Sequence, residues 1–414
     1  MPRKVSQFHW ELAEIIQKAA NIIDIHDIEY VIQYGCDDVD IFFSNMYLVT
    51  IRGKRNGSNI KKNIIIKCHI DLNQRENFRE LYKRGHVFYN TVVTKLLEIQ
   101  RTFKVIEGLK IKFPNCIYSS AEYNKEVLVL SQMVDTYSIH NRFLPISIDE
   151  AKLTLKNMAK LHALSFVWET YYSEEFDEIK KILSKNVQYS ELVKLPKSMR
   201  YCYDTSVNVV MNPMHKDKLK ALAGHLLAIL QTPPPLQYSA ICHGDCWINN
   251  ILFKVKDYML SQGTRPVEVM FVDYQLSRYA SPVSDISYFL YMSTDRELLS
   301  QHYETLINVY YGTLAGVLRQ CNLKVEQVYP ENIFRLHLKE YSVLGLIEAL
   351  VSMQIITADN EDAIKMTEIR YTQPEVENAG IDEHKFSNQN IFIERVNAIV
   401  NSFFQMDYSL TSVI

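Results

Sequence analysis

Apolar and polar residues alternate in short stretches through the first third of the chain, a pattern typical of β-strands with one buried face. These stretches predict strands over 29–34, 45–51, 63–70, 116–123 and 125–130. Between the third and fourth strands, apolar residues recur every three to four positions over 74–100, and the same spacing occurs over 6–22. After an N-terminal helix we therefore expect a small mixed sheet that carries one helix.

The run 52–62 joins the second and third predicted strands and carries five positive charges, with Gly53 and Gly57 as turn residues. One interpretation is a patch that binds phosphate or a membrane surface. The other is a solvated hairpin loop that keeps a sheet edge soluble. The composition favours the loop.

The pattern changes near residue 145, after which helical spacing dominates. It predicts helices over 149–171, 215–231, 296–319, 330–356 and 388–404, interrupted by short strands at 239–242, 250–255 and 267–273. Ser147 and Glu150 have the spacing of a capping box at the start of the first helix. We therefore predict an α+β fold with a small β-rich N-terminal lobe and a large, mostly helical C-terminal lobe.

Composition narrows the functional classes. The chain has 414 residues, 47% of them hydrophobic and 22% charged, which excludes a disordered chain. Its 12 glycines never form G-x-G-x-x-G or G-x-x-x-x-G-K-[ST], so the dinucleotide fingerprint and the Walker loop are absent. A net charge of −3 gives no overall attraction to nucleic acid, and we expect no nucleic-acid partner.

The sequence also shows no sign of a disulfide framework, a signal peptide or a membrane-spanning helix. The seven cysteines are scattered and odd in number, unlike a disulfide framework. Trp10 and Glu11 stand where a signal peptide needs its apolar core. The most apolar segment, 341–358, is interrupted by Glu348 and Gln354 and predicts a buried helix. We expect a cytoplasmic protein without a membrane partner.

One segment carries a candidate chemical site. His243, Asp245 and Asn250 form H-x-D-x-x-x-x-N between two short apolar strands, and Asp273 ends a third strand. Mg²⁺ prefers oxygen ligands, often one or two carboxylates together with substrate phosphates. Asn250 and Asp273 could supply such ligands, which leaves Asp245 to accept a hydroxyl proton. The pattern indicates phosphoryl transfer, in which the protein mainly positions groups and neutralises charge.

Other interpretations of these residues remain open. Asp245, Asn250 and Asp273 could be ordinary turn residues at strand ends, and His243 a packed core histidine. Cys242, His243 and Cys246 could form half of a zinc site, but no second Cys/His pair lies nearby in sequence. His162 lies on an apolar helix face, which favours a core histidine.

Two strings within 239–294 resemble the insect ecdysteroid kinase-like family, which is related to choline and aminoglycoside kinases. They are HGDCWINNILF and FVDYQLSRYASPVSDISYFLY. Weaker similarity continues in AKLHALS (159–165) and YSVLGLIEALVSMQII (341–356), and it is thin before residue 145. The resemblance implies a protein-kinase-like two-lobed fold, ATP and Mg²⁺ as cofactors, and a small-molecule alcohol as substrate.

The resemblance also implies roles for residues of the large lobe. Asp245 would be the catalytic base, and His243 would brace the catalytic loop. Asn250 and Asp273 would hold Mg²⁺. Asp285 would be a buried carboxylate that accepts backbone N–H bonds from that loop, which is a supporting role.

In the small lobe the resemblance is less complete. Lys67 would bind the α- and β-phosphates, although it could also be an edge-strand lysine facing water. Ser44 could donate to phosphate, but Val39 stands where the family has a glycine that lets the backbone approach phosphate closely. Gly85 occupies the position of the helix glutamate that should pair with Lys67. Without such a partner, the Lys67 head group would be poorly held.

The junction between the lobes departs from the family as well. Ser131-Gln132 replaces its Glu-Asp pair, and Asp135 could be a shifted replacement. We expect a nucleotide-binding lobe over 1–135 and a catalytic and substrate-binding lobe over 136–414.

The expected function is an ATP- and Mg²⁺-dependent kinase that phosphorylates a hydroxyl of a steroid-like or other alcohol. The alternatives are a catalytically impaired, pseudokinase-like ligand-binding protein of the same fold, and a choline or xenobiotic kinase. The sequence does not determine the oligomeric state.

Overall fold

Five antiparallel strands form the sheet of the N-terminal lobe. They are β1 (His26–Tyr34), β2 (Met46–Arg55), β3 (Ser58–Lys67), β4 (Cys116–Ser120) and β5 (Val127–Ser131), in the order β1-β2-β3-β5-β4. Along β2, Tyr47, Val49 and Ile51 are buried while the residues between them are partly exposed, as the alternation predicts.

The computed structural model describes part of the chain in detail. The described residues are 7–34, 46–68, 72–132, 137–144, 146–185, 195–231, 235, 237–258, 263–359, 361–363 and 388–412. The predicted lobe boundary at residue 135 lies outside them, so the division 1–135 and 136–414 stays a prediction.

The sheet differs from the sequence prediction in two respects. Every described strand pair in it is antiparallel, so the expectation of a mixed sheet is wrong. The basic run 52–62 is also not a loop, because β2 and β3 pair through it up to Arg55 and Ser58. Asn56 and Gly57 form the turn, both with positive φ (49° and 78°), as a two-residue hairpin turn with a right-handed strand twist requires.

Helices cover the two faces of the sheet. Helix α1 (Gln7–Ile22) buries Leu12 and Ile16 in a small core together with Ile64 and Ile66 of β3. The predicted helix over 74–100 is confirmed as a continuous helical segment. It consists of α2 (Leu72–Val87), a π-helical turn (Phe88–Val92) and α3 (Val93–Thr102).

The C-terminal lobe is mostly helical, which confirms the two-lobed α+β prediction. Its helices are α4 (Ile148–Tyr171), α5 (Ser173–Leu183), α6 (Leu195–Asn208), α7 (Pro213–Leu222), α8 (Leu226–Leu230), α9 (Pro282–Ser293), α10 (Arg296–Gln320), α11 (Val325–Val328), α12 (Glu331–Thr357) and α13 (Gln389–Gln405). Four of the five predicted helices match within a residue or two, and the capping box of Ser147 and Glu150 is present. The fifth, 215–231, is divided into α7 and α8.

Helix α12 is the most apolar helix of this lobe. Within the described chain it alone is long and apolar enough to cross a membrane, but 78% of its most apolar window is buried inside the structure. It packs against α9, where Gly345 allows the two backbones to approach closely. The prediction of a buried helix over 341–358 is thereby confirmed.

Short strands occupy the region between the sheet and the helices. They are β6 (Ser138–Ile139), β7 (Ala240–Cys242), β8 (Ile251–Tyr258), β9 (Gly263–Phe271) and β10 (Arg278–Ala280). β7 pairs with β10, and β8 lies between β6 and β9. The loop after β7 and the turn after β9 carry the residues of the candidate site.

Candidate active site

Lys67 is the last residue of β3 and reaches from the small lobe to the large one. Its Nζ donates a hydrogen bond to Asp273 Oδ2 at 2.8 Å, and the two side chains are 10% and 22% exposed. β3 lies between β2 and β5, so the interpretation of Lys67 as a water-facing edge lysine is wrong.

Asp273 follows β9 and has an unusual backbone conformation. Its φ is +64°, in the left-handed region that residues with a Cβ rarely adopt. Such strain is often retained at functional sites. The Asp273 Oδ1 atom is buried and accepts no hydrogen bond from the described part of the chain.

Asp245 and Asn250 lie in the loop between β7 and β8. The Asn250 side-chain amide donates to the Asp245 backbone oxygen at 2.9 Å and to Asp245 Oδ2 at 3.0 Å. The Val272 N–H donates to the Asn250 carbonyl at 3.0 Å, next to the Ile251–Phe271 pair that begins the β8–β9 ladder. Asn250 and Asp273 are therefore at the same end of this ladder.

Tyr288 is a contact of Asp245 that the sequence motifs do not indicate. Its hydroxyl donates to Asp245 Oδ1 at 2.5 Å, so both carboxylate oxygens of Asp245 accept hydrogen bonds. Tyr288 is three residues after Asp285 on α9, and residues at this spacing share a helix face. That spacing, and the position of Tyr288 within the string that resembles the family, are the sequence signals that could have identified it.

The environment of Asp245 increases its affinity for a proton. Burial raises the pKa of Asp245 to about 8; the hydrogen bond from Tyr288 opposes this, and the negative charge of Asp273 adds to it. A raised pKa suits a group that takes a proton from an alcohol, because proton transfer is most efficient when the pKa of the base is near the working pH.

Asp285 holds the backbone of the loop. It accepts hydrogen bonds from the N–H groups of His243 (2.6 Å) and Gly244 (2.9 Å), and His162 Nε2 lies 3.1 Å from its Oδ2. Burial alone would raise the pKa of Asp285, but the contact with His162 and the hydrogen bond from the Gly244 N–H hold it below its ordinary value. Asp285 is therefore an ionised buried anchor for the loop.

His243 is fully buried, and both of its ring nitrogens contact backbone groups. Nε2 lies 2.9 Å from the Val272 carbonyl oxygen, and Nδ1 lies 3.2 Å from the Asp245 backbone nitrogen. Burial lowers the pKa of His243, which favours the neutral ring. Nδ1 then accepts and Nε2 donates, an arrangement that fits the bracing role implied by the resemblance.

Gly244 permits the close contact between the loop and the turn after Asp273. Its φ is +82°, and a Cβ at this position would lie 2.0 Å from the Leu276 carbonyl oxygen. A glycine is required here for both reasons. The loop and the turn are thus packed backbone against backbone.

The buried ligand-type atoms of His162, Cys242 and Asp285 also lie within 4.8 Å of one another. Asp285 already accepts hydrogen bonds there, and His162 Nδ1 lies 2.7 Å from the Tyr310 hydroxyl. These groups form a hydrogen-bonded core. His162 is a buried histidine, as expected, and it also supports Asp285.

The Lys67 head group was expected to lack a carboxylate partner, and this expectation is wrong. The resemblance implied a helix glutamate where Gly85 stands, which left Lys67 without a carboxylate partner, but Asp273 provides one. Glu80, which precedes Gly85 on α2, is exposed and pairs with Lys83. Gly85 instead lies against the turn after Asp273, where an added Cβ would be 3.4 Å from Gln275 Cγ.

Several predicted small-lobe features fall outside the described residues, namely Val39, Ser44 and Asp135. At the junction, Ser131 and Gln132 donate backbone hydrogen bonds to the carbonyls of Asn115 and Asn63 (2.9 and 3.0 Å).

The side chains of Asn250 and Asp273 are suited to binding a divalent cation. A buried carboxylate oxygen without a donor costs about 1–3 kcal/mol, and a cation on Asp273 Oδ1 would recover this cost. Asn250 donates through its side-chain nitrogen, which leaves the amide oxygen as its ligand atom. An amide oxygen and a carboxylate, completed by phosphate and water, match the preference of Mg²⁺.

The fold and the site together define a class: a two-lobed, kinase-like α+β protein with an acid–amide–acid set between its lobes. The sequence model of the ecdysteroid kinase-like family matches residues 38–323, and the chain belongs to this family. No curated protein sequence is significantly similar to the chain.

Three solved structures have distant similarity to the chain. An ethanolamine kinase from Plasmodium vivax is 13% identical, with 96% of this chain and 90% of that one covered and a TM-score of 0.40. An ADP-bound aminoglycoside phosphotransferase is 14% identical, with 96% and 99% covered and a TM-score of 0.34. A choline/ethanolamine kinase family protein from Mesorhizobium loti is 12% identical, with 94% and 99% covered and a TM-score of 0.35. Because these likenesses are distant, the functional conclusion depends on the family match and the geometry of the site.

Proposed function

We propose that this protein is an ATP- and Mg²⁺-dependent kinase that phosphorylates a hydroxyl of a steroid-like alcohol. The observation that carries the proposal is the meeting of Lys67, Asp245, Asn250 and Asp273 where the sheet faces the helical lobe. Membership of the ecdysteroid kinase-like family supports the substrate class.

Each residue has a role in this proposal that follows from its chemistry. Asp245 accepts the proton of the substrate hydroxyl as the hydroxyl oxygen forms a bond to the γ-phosphorus and the bond to the ADP oxygen breaks. Lys67 binds phosphate oxygens of the nucleotide. Asn250 and Asp273 would hold Mg²⁺, which when bound neutralises charge on the phosphates.

The test is a phosphorylation assay with purified protein, labelled ATP, Mg²⁺ and a panel of ecdysteroids. We expect a phosphorylated product, and we expect Asp245→Asn to reduce its formation by at least about 10²-fold, the lower range of general-base contributions. An unchanged rate in Asp245→Asn would remove the base assignment.

A second candidate is a pseudokinase-like ligand-binding protein of the same fold. Val39 and Gly85 favour it, because they stand where the resemblance implies a loop glycine and a helix glutamate. This candidate predicts little or no change in melting temperature with ATP and Mg²⁺. A clear Mg²⁺-dependent increase would reject it.

A choline or xenobiotic kinase keeps the same chemistry and differs only in substrate. Including choline and plant phenols in the assay separates these possibilities. A cytoplasmic location and the lack of nucleic-acid or membrane partners remain predictions from the sequence.

A further inference from the structure

The contact between Lys67 and Asp273 places a protein cation on the carboxylate that is proposed to bind the metal. The distance from Lys67 Nζ to Asp273 Oδ2 is 2.8 Å. The pair is largely shielded from water, because the Lys67 side chain is 10% exposed and the Asp273 side chain 22%. Charges in such surroundings are weakly screened, so their attraction and repulsion are stronger than at the surface.

The helix next to Lys67 gives a reason for this pairing. Gly85 of α2 contributes no carboxylate, and Glu80 of the same helix is exposed and paired with Lys83. Glu126, a buried acid beside α2, is paired with Arg79 of that helix. Among the described side chains, Asp273 is the carboxylate that pairs with Lys67.

We propose that Lys67 is an internal counter-ion that keeps a divalent cation off Asp273 until nucleotide phosphates draw the lysine away. Two cations that share one carboxylate repel each other, so metal alone binds weakly to this site. Phosphates offer Lys67 another partner and release Asp273 for the metal. Nucleotide and metal then bind cooperatively, and each raises the affinity of the other by the same factor.

This inference rests on the proposed function for the identity of the two ligands, but its test needs neither a substrate nor turnover. The probe is Mn²⁺, a paramagnetic substitute for Mg²⁺, titrated into the full-length protein without nucleotide and followed by electron paramagnetic resonance. We expect Lys67→Met to bind Mn²⁺ at least tenfold more tightly than the wild type. Adding Asp273→Asn to Lys67→Met should abolish this gain, which locates the ion at Asp273.

Lys95 provides a matched control. Its side chain is also 10% exposed, and it pairs with a carboxylate, Glu175, at the same distance of 2.8 Å. Lys95→Met therefore removes a similarly buried, acid-paired lysine that does not contact Asp273, and it should leave Mn²⁺ binding unchanged. Lys67→Arg keeps the positive charge and should remain close to the wild type.

Thermal unfolding of each variant shows whether it is folded, and Lys67→Gln takes the place of Lys67→Met if the latter is not. The proposal is overturned if the uncharged variant binds Mn²⁺ no more tightly than the wild type. It is also overturned if the gain persists in the Asp273→Asn background. A protein that shows the gain but never binds ATP would refute the proposed function and leave the lysine–metal competition intact.

Discussion

Asp245 illustrates how much of the site depends on single hydrogen bonds. One carboxylate oxygen accepts from Tyr288 and the other from Asn250, so the side chain is held on both sides. Its position is therefore fixed by the protein itself. Pre-positioning of this kind is a main contribution that a protein makes to phosphoryl transfer.

We predict that Tyr288→Phe lowers kcat by about 10- to 100-fold, because the hydrogen bond to Asp245 in its ionised, proton-accepting form contributes roughly 1.5–3 kcal/mol. KM for ATP should stay within about twofold. Steady-state kinetics and a melting curve check this. Tyr291→Phe is the control, since Tyr291 is on the same helix but packs against Phe403. Equal losses in both variants would contradict a specific role for Tyr288.

At the scale of elements, α9 supports the loop twice, through Asp285 and through Tyr288. The helix is itself held by α12, which approaches it at Gly345. A Cβ there would lie 2.4 Å from the carbonyl carbon of Ser287 and 2.5 Å from the backbone nitrogen of Tyr288. The crossing of two helices thus determines where Tyr288 meets Asp245.

Gly345→Ala should therefore destabilise the protein by about 1–3 kcal/mol, the usual cost of overpacking, and lower the activity as Tyr288 shifts. Denaturant unfolding measures the change. Gly312→Ala, in α10, is the matched control: Gly312 has open space around it, and alanine should stabilise the helix by roughly 0.5–1 kcal/mol. If Gly345→Ala were as stable as Gly312→Ala, the close crossing would be refuted.

Local sequence patterns predict helices and strands better than they predict which residues of different elements contact one another. The strands around Asp245 and the helix α4 follow from local periodicity and a capping box, and both are present. The hydrogen bond from Lys67 to Asp273 joins residues 206 positions apart and has no local signature. The same holds for the antiparallel β3–β5 pairing, which depends on how the chain returns after α3.

The sequence prediction lacks helices α5 and α6. In α5, Phe176, Ile179 and Leu183 are buried at helical intervals, a spacing that itself indicates a helix. The contact of Tyr288 is not predicted because its hydroxyl has a partner on another element. Residue type and spacing do not encode which hydroxyl meets which acid across a fold.

At the scale of the whole molecule, the stability of the large lobe should depend on pH through His337 of α12. Its Nδ1 lies 2.9 Å from the Tyr329 hydroxyl and 3.2 Å from Ser281 Oγ, at the start of α9. Burial lowers the pKa of His337 to about 4 from an ordinary value of 6.5. Between these values the unfolded chain binds a proton that the folded protein excludes.

Unfolding free energy should therefore fall as the pH decreases from 6.5 to 4, by up to about 3 kcal/mol from this group, and the loss should level off below pH 4. Denaturant unfolding at several pH values, compared with His337→Gln, isolates the contribution because the other groups titrate in both proteins. Identical pH dependence in the two proteins would show that His337 is not buried as a neutral ring.

The two lobes meet through Lys67 of the sheet and Asp273 of the helical lobe, so the central claim is that nucleotide and metal bind together at this contact. Calorimetric titration of ATP into the protein, with and without Mg²⁺, tests it most directly. We predict saturable binding that is at least tenfold tighter with Mg²⁺, and Asp273→Asn should lose that enhancement. ATP binding that is absent, or that is indifferent to Mg²⁺ and to Asp273, would contradict the claim.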